Sequence, residues 1–467
     1  MSTNTRTPAT ALSRSTRWGY GGGEWANAVV WTAFTSLFLY FLTDTVGIGP
    51  AIGGLIVAIG TLWNTVLQPV VGVLSDRTRS AMGRRRPFLL YCIVPFAVLS
   101  WALFTDFGLT GNGAALYFGV VVVLWFTVLT LFYVPYSALG AELSSDSHER
   151  TRLSSVRTAF SQVGALVGAT LPLFLLDPLT QLTGSGSVAW SIASAILGVL
   201  AGIGIFATWR TSRRHTVMTA PAAMTIRDML GVFKLRTFRY LMAAYVFGWA
   251  PLSLIGTVSI YYSVHVMGFT ETEASLVLLV WFAAGLAWLP LVQFLSKRIG
   301  KVRTYLVFTI GWAIAQALFF VTDRGSDVLF WLVLIASSAG SMAVAVVGWS
   351  LLADVTDVEE LRSGRRREGA MYGVAALAQT GFAAILIWLV GVTLAIGGYQ
   401  GGSAVGPDAL LAIRILMAFG TGICLIPGII FASRIRLTTA RHDRIRAALD
   451  SDVPLAQEAR EELLRDL

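Results

Sequence analysis

Six ionisable side chains fall in or at the edge of long apolar runs: Glu24, Asp44, Glu142, Arg157, His265 and Arg414. An ionised group in such a run is costly unless it is paired, so each is a candidate for moving charge or substrate rather than for filling a core. Asn64 and Gln68 stand one helical turn apart, where two amides on one face can hydrogen-bond a hydroxyl-rich molecule. Trp31, Tyr133, Tyr245, Trp249, Trp349, Gln316 and Gln379 add rings and further amides inside other runs. Flat rings stack on the C–H faces of pyranoses while amides take their hydroxyls. Catalytic chemistry has no comparable footing. There is no Gly-x4-Gly-Lys-Ser/Thr, His-Glu-x-x-His or Gly-x-Ser-x-Gly stretch, and the four histidines build no metal site. Cys92 and Cys424 both lie in apolar stretches, which argues against a disulfide framework. The residues point to no catalytic group, no metal and no cofactor.

The elements that must hold these side chains are membrane helices. Of 467 residues, 55% are hydrophobic and 13% charged, and the mean hydropathy is +0.69; soluble domains are about a quarter charged. Twelve apolar runs are long enough to cross a bilayer, at residues 25–43, 51–74, 88–105, 114–139, 159–176, 188–208, 241–264, 275–295, 305–321, 328–352, 371–396 and 409–433. In lipid a chain must satisfy its own backbone, so these are helices. On these boundaries Glu24 and Arg157 sit at the starts of helices 1 and 5, and no acid lies at mid-depth in helices 1, 2 or 4.

The net charge of +9 is explained by topology. All of the 35 Lys and Arg residues except Arg324 and Arg414 fall in the N-terminal tail, the even-to-odd connections or the C-terminal tail. That pattern places both termini in the cytoplasm and the protein in the plasma (inner) membrane as a multi-pass chain. A nucleic-acid footprint would be one basic patch rather than seven dispersed segments. The polar stretch after helix 6 divides the chain into a cytoplasmic tail (1–18), a six-helix bundle (19–208), a linker (209–237), a second six-helix bundle (238–435) and a C-terminal tail (436–467) that ends in a short amphipathic helix over 454–467.

The two halves repeat. Pro69 to Leu74-Ser75-Asp76-Arg77, followed by Gly83-Arg84-Arg85-Arg86, matches Pro290 to Leu295-Ser296-Lys297-Arg298, followed by Gly300-Lys301, at an offset of 221. Ala141-Glu142-Leu143 matches Ala353-Asp354-Val355 at an offset of 212. Six plus six helices related in this way are a hallmark of carriers that alternate access around a midplane site.

The loop after helix 2 resembles the signature loop of the major facilitator superfamily. The closer resemblance is to the glycoside-pentoside-hexuronide:cation symporter branch and the sucrose-transporter-like proteins beside it. Four stretches carry it: Phe41-Leu-Thr-Asp44-Thr-Val-Gly47; Gln68-Pro69 through Asp76-Arg77 to Gly83-Arg-Arg-Arg-Pro-Phe88; Pro135-Tyr136 to Glu142-Leu143 with Glu149-Arg150 and Arg157; and Ala353-Asp354 to Glu360 with Gly364-Arg-Arg-Arg-Glu368-Gly369. The resemblance implies an all-α membrane protein of the major facilitator fold, with 12 transmembrane helices in two pseudo-symmetric six-helix bundles, that transports and is not an enzyme. Sodium-coupled members of the branch carry paired carboxylates where this chain has Asn64 and Gln68. The branch's helix 1 acid falls on Ala28, its helix 4 acid on Tyr133 and its helix 11 lysine on Thr380, while its helix 5 arginine is kept as Arg157. Helix 9, which holds Gln316, is peripheral in that fold.

The reading is a secondary active transporter, or symporter, of a small hydroxylated solute, a sugar or glycoside, with the proton as coupling ion and sodium disfavoured. The expected partners are that small molecule and the lipid bilayer, with no nucleic acid, and the protein is a monomer. Trp31, Asn64, Gln68, Tyr133, Arg157, Tyr245, Trp249, Trp349 and Gln379 are the substrate-binding candidates. Glu142 and Glu24 are the proton-coupling candidates. Asp76, Arg77, Arg84, Arg150, Asp354 and Arg366 are assigned to a cytoplasmic gate, in which Glu142 would pair with Arg150 or Arg157 and Asp354 with Arg366 or Arg367. Open alternatives are a lysolipid or other amphipathic solute, a facilitator without ion coupling, and a non-transporting sensor on the same fold.

Overall fold

The computed structural model describes residues 12–143, 147–212, 231–364, 367–402, 405–451 and 457–464. Twelve helices are long and apolar enough to cross a membrane. In chain order they are α1 (Arg14–Thr45), α2 (Pro50–Arg77), α3 (Arg86–Leu103), α4 (Gly111–Leu143), α5 (Ser147–Thr183), α6 (Gly186–Thr211), α7 (Arg236–Val266), α8 (Glu271–Ile299), α9 (Lys301–Val321), α10 (Asp327–Ser363), α11 (Glu368–Ile396) and α12 (Pro407–Ser433). Two shorter helices follow, α13 (Thr439–Asp450) and α14 (Gln457–Leu464). The chain forms two compact units, Met1–Pro221 with Gln400–Gly402 and Ala222–Tyr399 with Ser403–Leu467.

The packing inside one unit repeats inside the other. In the first, α1 packs on α5 and α6, α3 on α4 and α6, and α2 on α4; in the second, α7 packs on α11 and α12, α9 on α10 and α12, and α8 on α10. The 221-residue offset extends past the loop in which the sequence displays it. α1 ends in a π-helical turn, Phe41–Thr45, and α7 in another, Tyr262–Val266. Gly47 and Gly268 follow with φ of 78° and 74°, a left-handed conformation that glycine adopts without a Cβ penalty. α2 and α8 then start at Pro50 and Glu271. The wider turn frees backbone carbonyls, and in α1 the Thr43 hydroxyl donates toward those of Leu39 and Tyr40, each at 3.1 Å.

α1 and α5 begin earlier than their apolar runs. α1 starts at Arg14, capped by the Ser13 hydroxyl accepting from the Thr16 N–H, so Glu24 lies ten residues inside the helix. α5 starts at Ser147, ten residues before Arg157. At 1.5 Å per residue each ionisable group is about 15 Å from its helix start. The run Gly21-Gly22-Gly23, which looks like a break before a helix, is a contact surface within one. A Cβ at Gly21 would enter the Phe160 ring, at Gly22 the carbonyl oxygen of Gly204 on α6, and at Gly23 the Tyr136 ring on α4. Gly168 on α5 meets the Val29 carbonyl oxygen in the same way.

Gly168→Ala therefore forces α5 off α1 and is expected to cost about 1–3 kcal/mol, the usual range for overpacking. Gly119→Ala, on α4 with open space around it, is expected to be neutral or stabilising by up to about 1 kcal/mol. Thermal unfolding of the two purified variants checks the contrast.

Candidate functional site

In the N-terminal unit α1, α4 and α5 bring three polar side chains together. Glu24 is buried, 6% exposed, and its Oε2 receives Arg157 Nε at 2.5 Å. Arg157 Nη2 donates to the Tyr133 hydroxyl at 2.7 Å, and that hydroxyl lies 3.5 Å from Glu24 Oε1. The guanidinium also sits 5.8 Å and 5.7 Å from the ring centroids of Tyr133 and Tyr136. Tyr136 is fixed in turn by a bond to the Tyr20 carbonyl at 3.0 Å and by its ring against that of Tyr20. The carboxylate is thus compensated by a cation held on two aromatic rings.

The same helix faces carry the next candidates. Trp31 lies seven residues beyond Glu24 on α1 and packs edge-on against Phe126 of α4, centroids 6.0 Å apart. Between these levels Thr130 of α4 donates to Asn64 Oδ1 of α2 at 2.8 Å, so one acceptor of the Asn64 amide is engaged. Gln68 is half-buried one turn further along α2. Ala28 is buried between Glu24 and Trp31, and the carboxylate of α1 stands one turn away from it, at Glu24.

In the C-terminal unit Tyr245 and Trp249 on α7, Trp349 on α10, and Tyr372 and Gln379 on α11 form an aromatic and amide cluster. The Tyr245 hydroxyl donates to Gln379 Oε1 at 2.7 Å. Its ring meets Trp349 edge-on at 5.4 Å and Trp249 at 5.9 Å, and Trp349 stacks on Tyr372 with 11° between planes. The Trp249 indole N–H is buried without a hydrogen-bond partner among the described residues. Gln316 does not join the cluster. It is fully buried and donates to the Met417 carbonyl at 2.6 Å, where the π-helical turn Leu416–Gly420 of α12 frees that oxygen, so it packs α9 on α12.

The family described as MFS/sugar transport protein matches residues 19–439. The chain belongs to this family. It is a multi-pass membrane transporter and not an enzyme, and the solute it handles is a small molecule. The putative glycoside/cation symporter YagG of Escherichia coli (strain K12) is 27% identical over 96% of this chain and 99% of its own length. The isoprimeverose transporter of Lactiplantibacillus pentosus is 25% identical over 86% of this chain and 84% of its own. The crystal structure of a D-xylose-proton symporter superposes with a TM-score of 0.63 at 15% identity, covering 91% of this chain and 97% of that one, which establishes a shared fold.

The transporter pairs its helix-end charges differently from the sequence-based expectation. Arg157 bonds Glu24, as both lie about three turns inside their helices. Asp354 receives Lys301 Nζ at 2.7 Å on both oxygens and has His442 of α13 at 3.6 Å; Arg367 turns to Glu359 instead, at 3.5 Å. Asp76 pairs with Arg85 at 3.1 Å, while Arg77 is exposed. The side chains of Glu142 and Arg150, and Arg366 altogether, lie outside the described residues. Arg85, Lys301 and the Arg17–Glu149 pair at 3.4 Å are charges that the spacing argument missed. Arg85 and Lys301 were findable: each follows the repeated loop glycine, Gly83 or Gly300, both at positive φ. Nor is the C-terminal tail merely solvated. His442 reaches Asp357 at 3.1 Å, and Arg460 of α14 donates to the carbonyls of Leu361 and Arg362, which docks the tail on the end of α10.

Arg157→Gln leaves the Glu24 carboxylate buried without its cation and is expected to destabilise the N-terminal unit by about 3 kcal/mol. Adding Glu24→Gln is expected to recover most of that loss. Unfolding temperatures of the two single variants and the double variant give the coupling.

Proposed function

We propose that the protein is a monomeric, proton-coupled sugar or glycoside symporter of the inner membrane, with both termini cytoplasmic, that works by alternating access. The observation that carries this reading is the Glu24–Arg157–Tyr133 cluster. A carboxylate buried inside α1, with a cation and a phenol as its partners, is paired while ionised, and a proton on it frees the Arg157 guanidinium for another acceptor. Arg157 and Tyr133 can then exchange bonds between Glu24 and substrate hydroxyls, so that protonation and substrate binding act on the same donors.

The C-terminal cluster supplies the other half of the recognition. Trp349, Trp249, Tyr245 and Tyr372 offer faces for a sugar ring, and the unpartnered Trp249 N–H and the Gln379 amide offer polar contacts. Relatives named as a glycoside/cation symporter and an isoprimeverose transporter support the substrate class and a coupling cation. The choice of proton over sodium rests on Asn64 and Gln68. Two neutral amides, one already bonded to Thr130, compensate a bare cation poorly. The pairs Asp76–Arg85, Lys301–Asp354 and Arg17–Glu149 lie at the helix ends assigned to the cytoplasmic gate. The orientation follows from the arginine distribution.

Uptake of a labelled sugar panel by the purified protein in liposomes tests the proposal. An inward proton gradient is expected to drive accumulation and a sodium gradient is not. Glu24→Gln is expected to lose gradient-driven accumulation while keeping sugar exchange at equilibrium. Accumulation that survives in Glu24→Gln would move the coupling to another residue, and accumulation driven by sodium would overturn the proton reading.

A further inference from the structure

Three arginines converge where α7 begins and α12 ends. Arg236, Tyr240, Ser433, Arg434 and Arg436 line a cavity of about 310 Å³. Arg236 Nε donates to the Tyr240 hydroxyl at 3.2 Å with its guanidinium 5.5 Å from the ring centroid, and Arg434 reaches the same hydroxyl. Neither Arg236 nor Arg434 makes an ion pair among the described residues. α7 opens at Leu235 without a side-chain cap, one residue before Arg236.

A second arginine-lined cavity provides the contrast. Arg14, Arg17, Trp18 and Arg152 border about 360 Å³ at the start of α1, yet there Arg17 and Arg152 both pair with Glu149. In that cavity one carboxylate, Glu149, offsets part of the positive charge from within the protein. At α7 and α12 neither Arg236 nor Arg434 has a carboxylate partner among the described residues.

The surface beneath the arginines is apolar on the same side. Ile423, Ile426 and Ile430, exposed by 65%, 54% and 46%, follow one another at three- and four-residue steps on α12 and lead up that face to Ser433 and Arg434. Phe431 stacks on Tyr240 with centroids 6.4 Å apart and on Phe247 of α7 at 6.5 Å, closing the groove between the two helices with aromatic rings. A site for a soluble anion needs no such ridge. Arginine forks match phosphate oxygens in pairs, and an acyl chain matches the ridge.

We propose that this cavity binds the phosphate of an anionic glycerophospholipid whose acyl chains lie along Ile430, Ile426 and Ile423 of α12. The site stands apart from the transport pathway and does not depend on the identity of the transported solute. Bound there, a lipid ties the start of α7 to the end of α12 within the C-terminal unit.

Native mass spectrometry of the full-length protein in a neutral detergent, with phosphatidylglycerol, phosphatidylcholine or inorganic phosphate added, tests it. The wild type is expected to retain one phosphatidylglycerol at concentrations where phosphatidylcholine dissociates. The double variant Arg236→Gln/Arg434→Gln is expected to bind that lipid about 30-fold more weakly, at about 1 kcal/mol per arginine. The charge-conserving Arg236→Lys/Arg434→Lys should keep most of the affinity, and Arg79→Gln/Arg444→Gln, which removes equal charge elsewhere, should keep all of it. Equal loss in both Gln double variants would reduce the effect to net charge and overturn the site. Displacement of the lipid by millimolar inorganic phosphate would assign the cavity to a free anion and overturn the lipid reading.

Discussion

A carboxylate cannot stay ionised some 15 Å along a membrane helix unless a cation reaches it, and the N-terminal unit is arranged around that requirement. Glu24 and Arg157 belong to different helices, and for the pair to close, α1 must lie against α5 at less than the usual interhelical distance. Gly21 on α1 and Gly168 on α5 remove side chains that would hold these two helices apart, while Gly22 and Gly23 let the same turn of α1 sit on α6 and α4. The glycine run and the buried ion pair are therefore one feature. Without the close approach the arginine could not reach Glu24, and without the arginine the carboxylate would be better placed at the helix end.

The C-terminal unit solves the same geometric problem without charge. Tyr245 stands 221 residues after Glu24, and Gln379 stands 222 after Arg157. The Tyr245–Gln379 bond thus ties α7 to α11 where Glu24–Arg157 ties α1 to α5. A neutral bond here costs little to bury and does not titrate near neutral pH. The repeat has divided its labour: one copy keeps a group able to change charge, and the other surrounds the equivalent position with Trp249, Trp349 and Tyr372.

This correspondence marks the limit of what the sequence displays. Twelve spans, the repeat at the ends of α2 and α8, and most of the aromatic candidates follow from hydropathy and spacing, because those depend on local composition. The equivalence of Phe41–Thr45 with Tyr262–Val266 does not. Across those turns and the glycines that follow them, Gly47 and Gly268 are the identical pair, so the shared π-helical turn is visible only in the backbone. Glu24 was misplaced for a related reason. Three consecutive glycines lower local hydropathy and helix propensity, so a window scan starts the helix after them, whereas tertiary packing overrides the propensity. Lys301 escaped notice because its partner, Asp354, is 53 residues away on another helix.

The placement of the ion pairs has a consequence for how such a protein moves. Asp76 is about half exposed in its pair with Arg85, and Lys301 is about a third exposed in its pair with Asp354. The other partner of each pair, Arg85 or Asp354, is buried, as Glu24 is in its pair with Arg157. A carrier that alternates between two states needs them within a few kcal/mol of each other, and a pair whose two members move together adds little to that difference. Asp76–Arg85 and Lys301–Asp354 each lie inside one unit, and so does Glu24–Arg157, which a rigid movement of its unit leaves intact. What can loosen it is a change in what occupies the space beside Tyr133: a proton on the carboxylate, or a hydroxyl that takes over the arginine's bonds. The Glu24–Arg157 pair therefore answers to what binds beside it rather than to rigid movement of its unit.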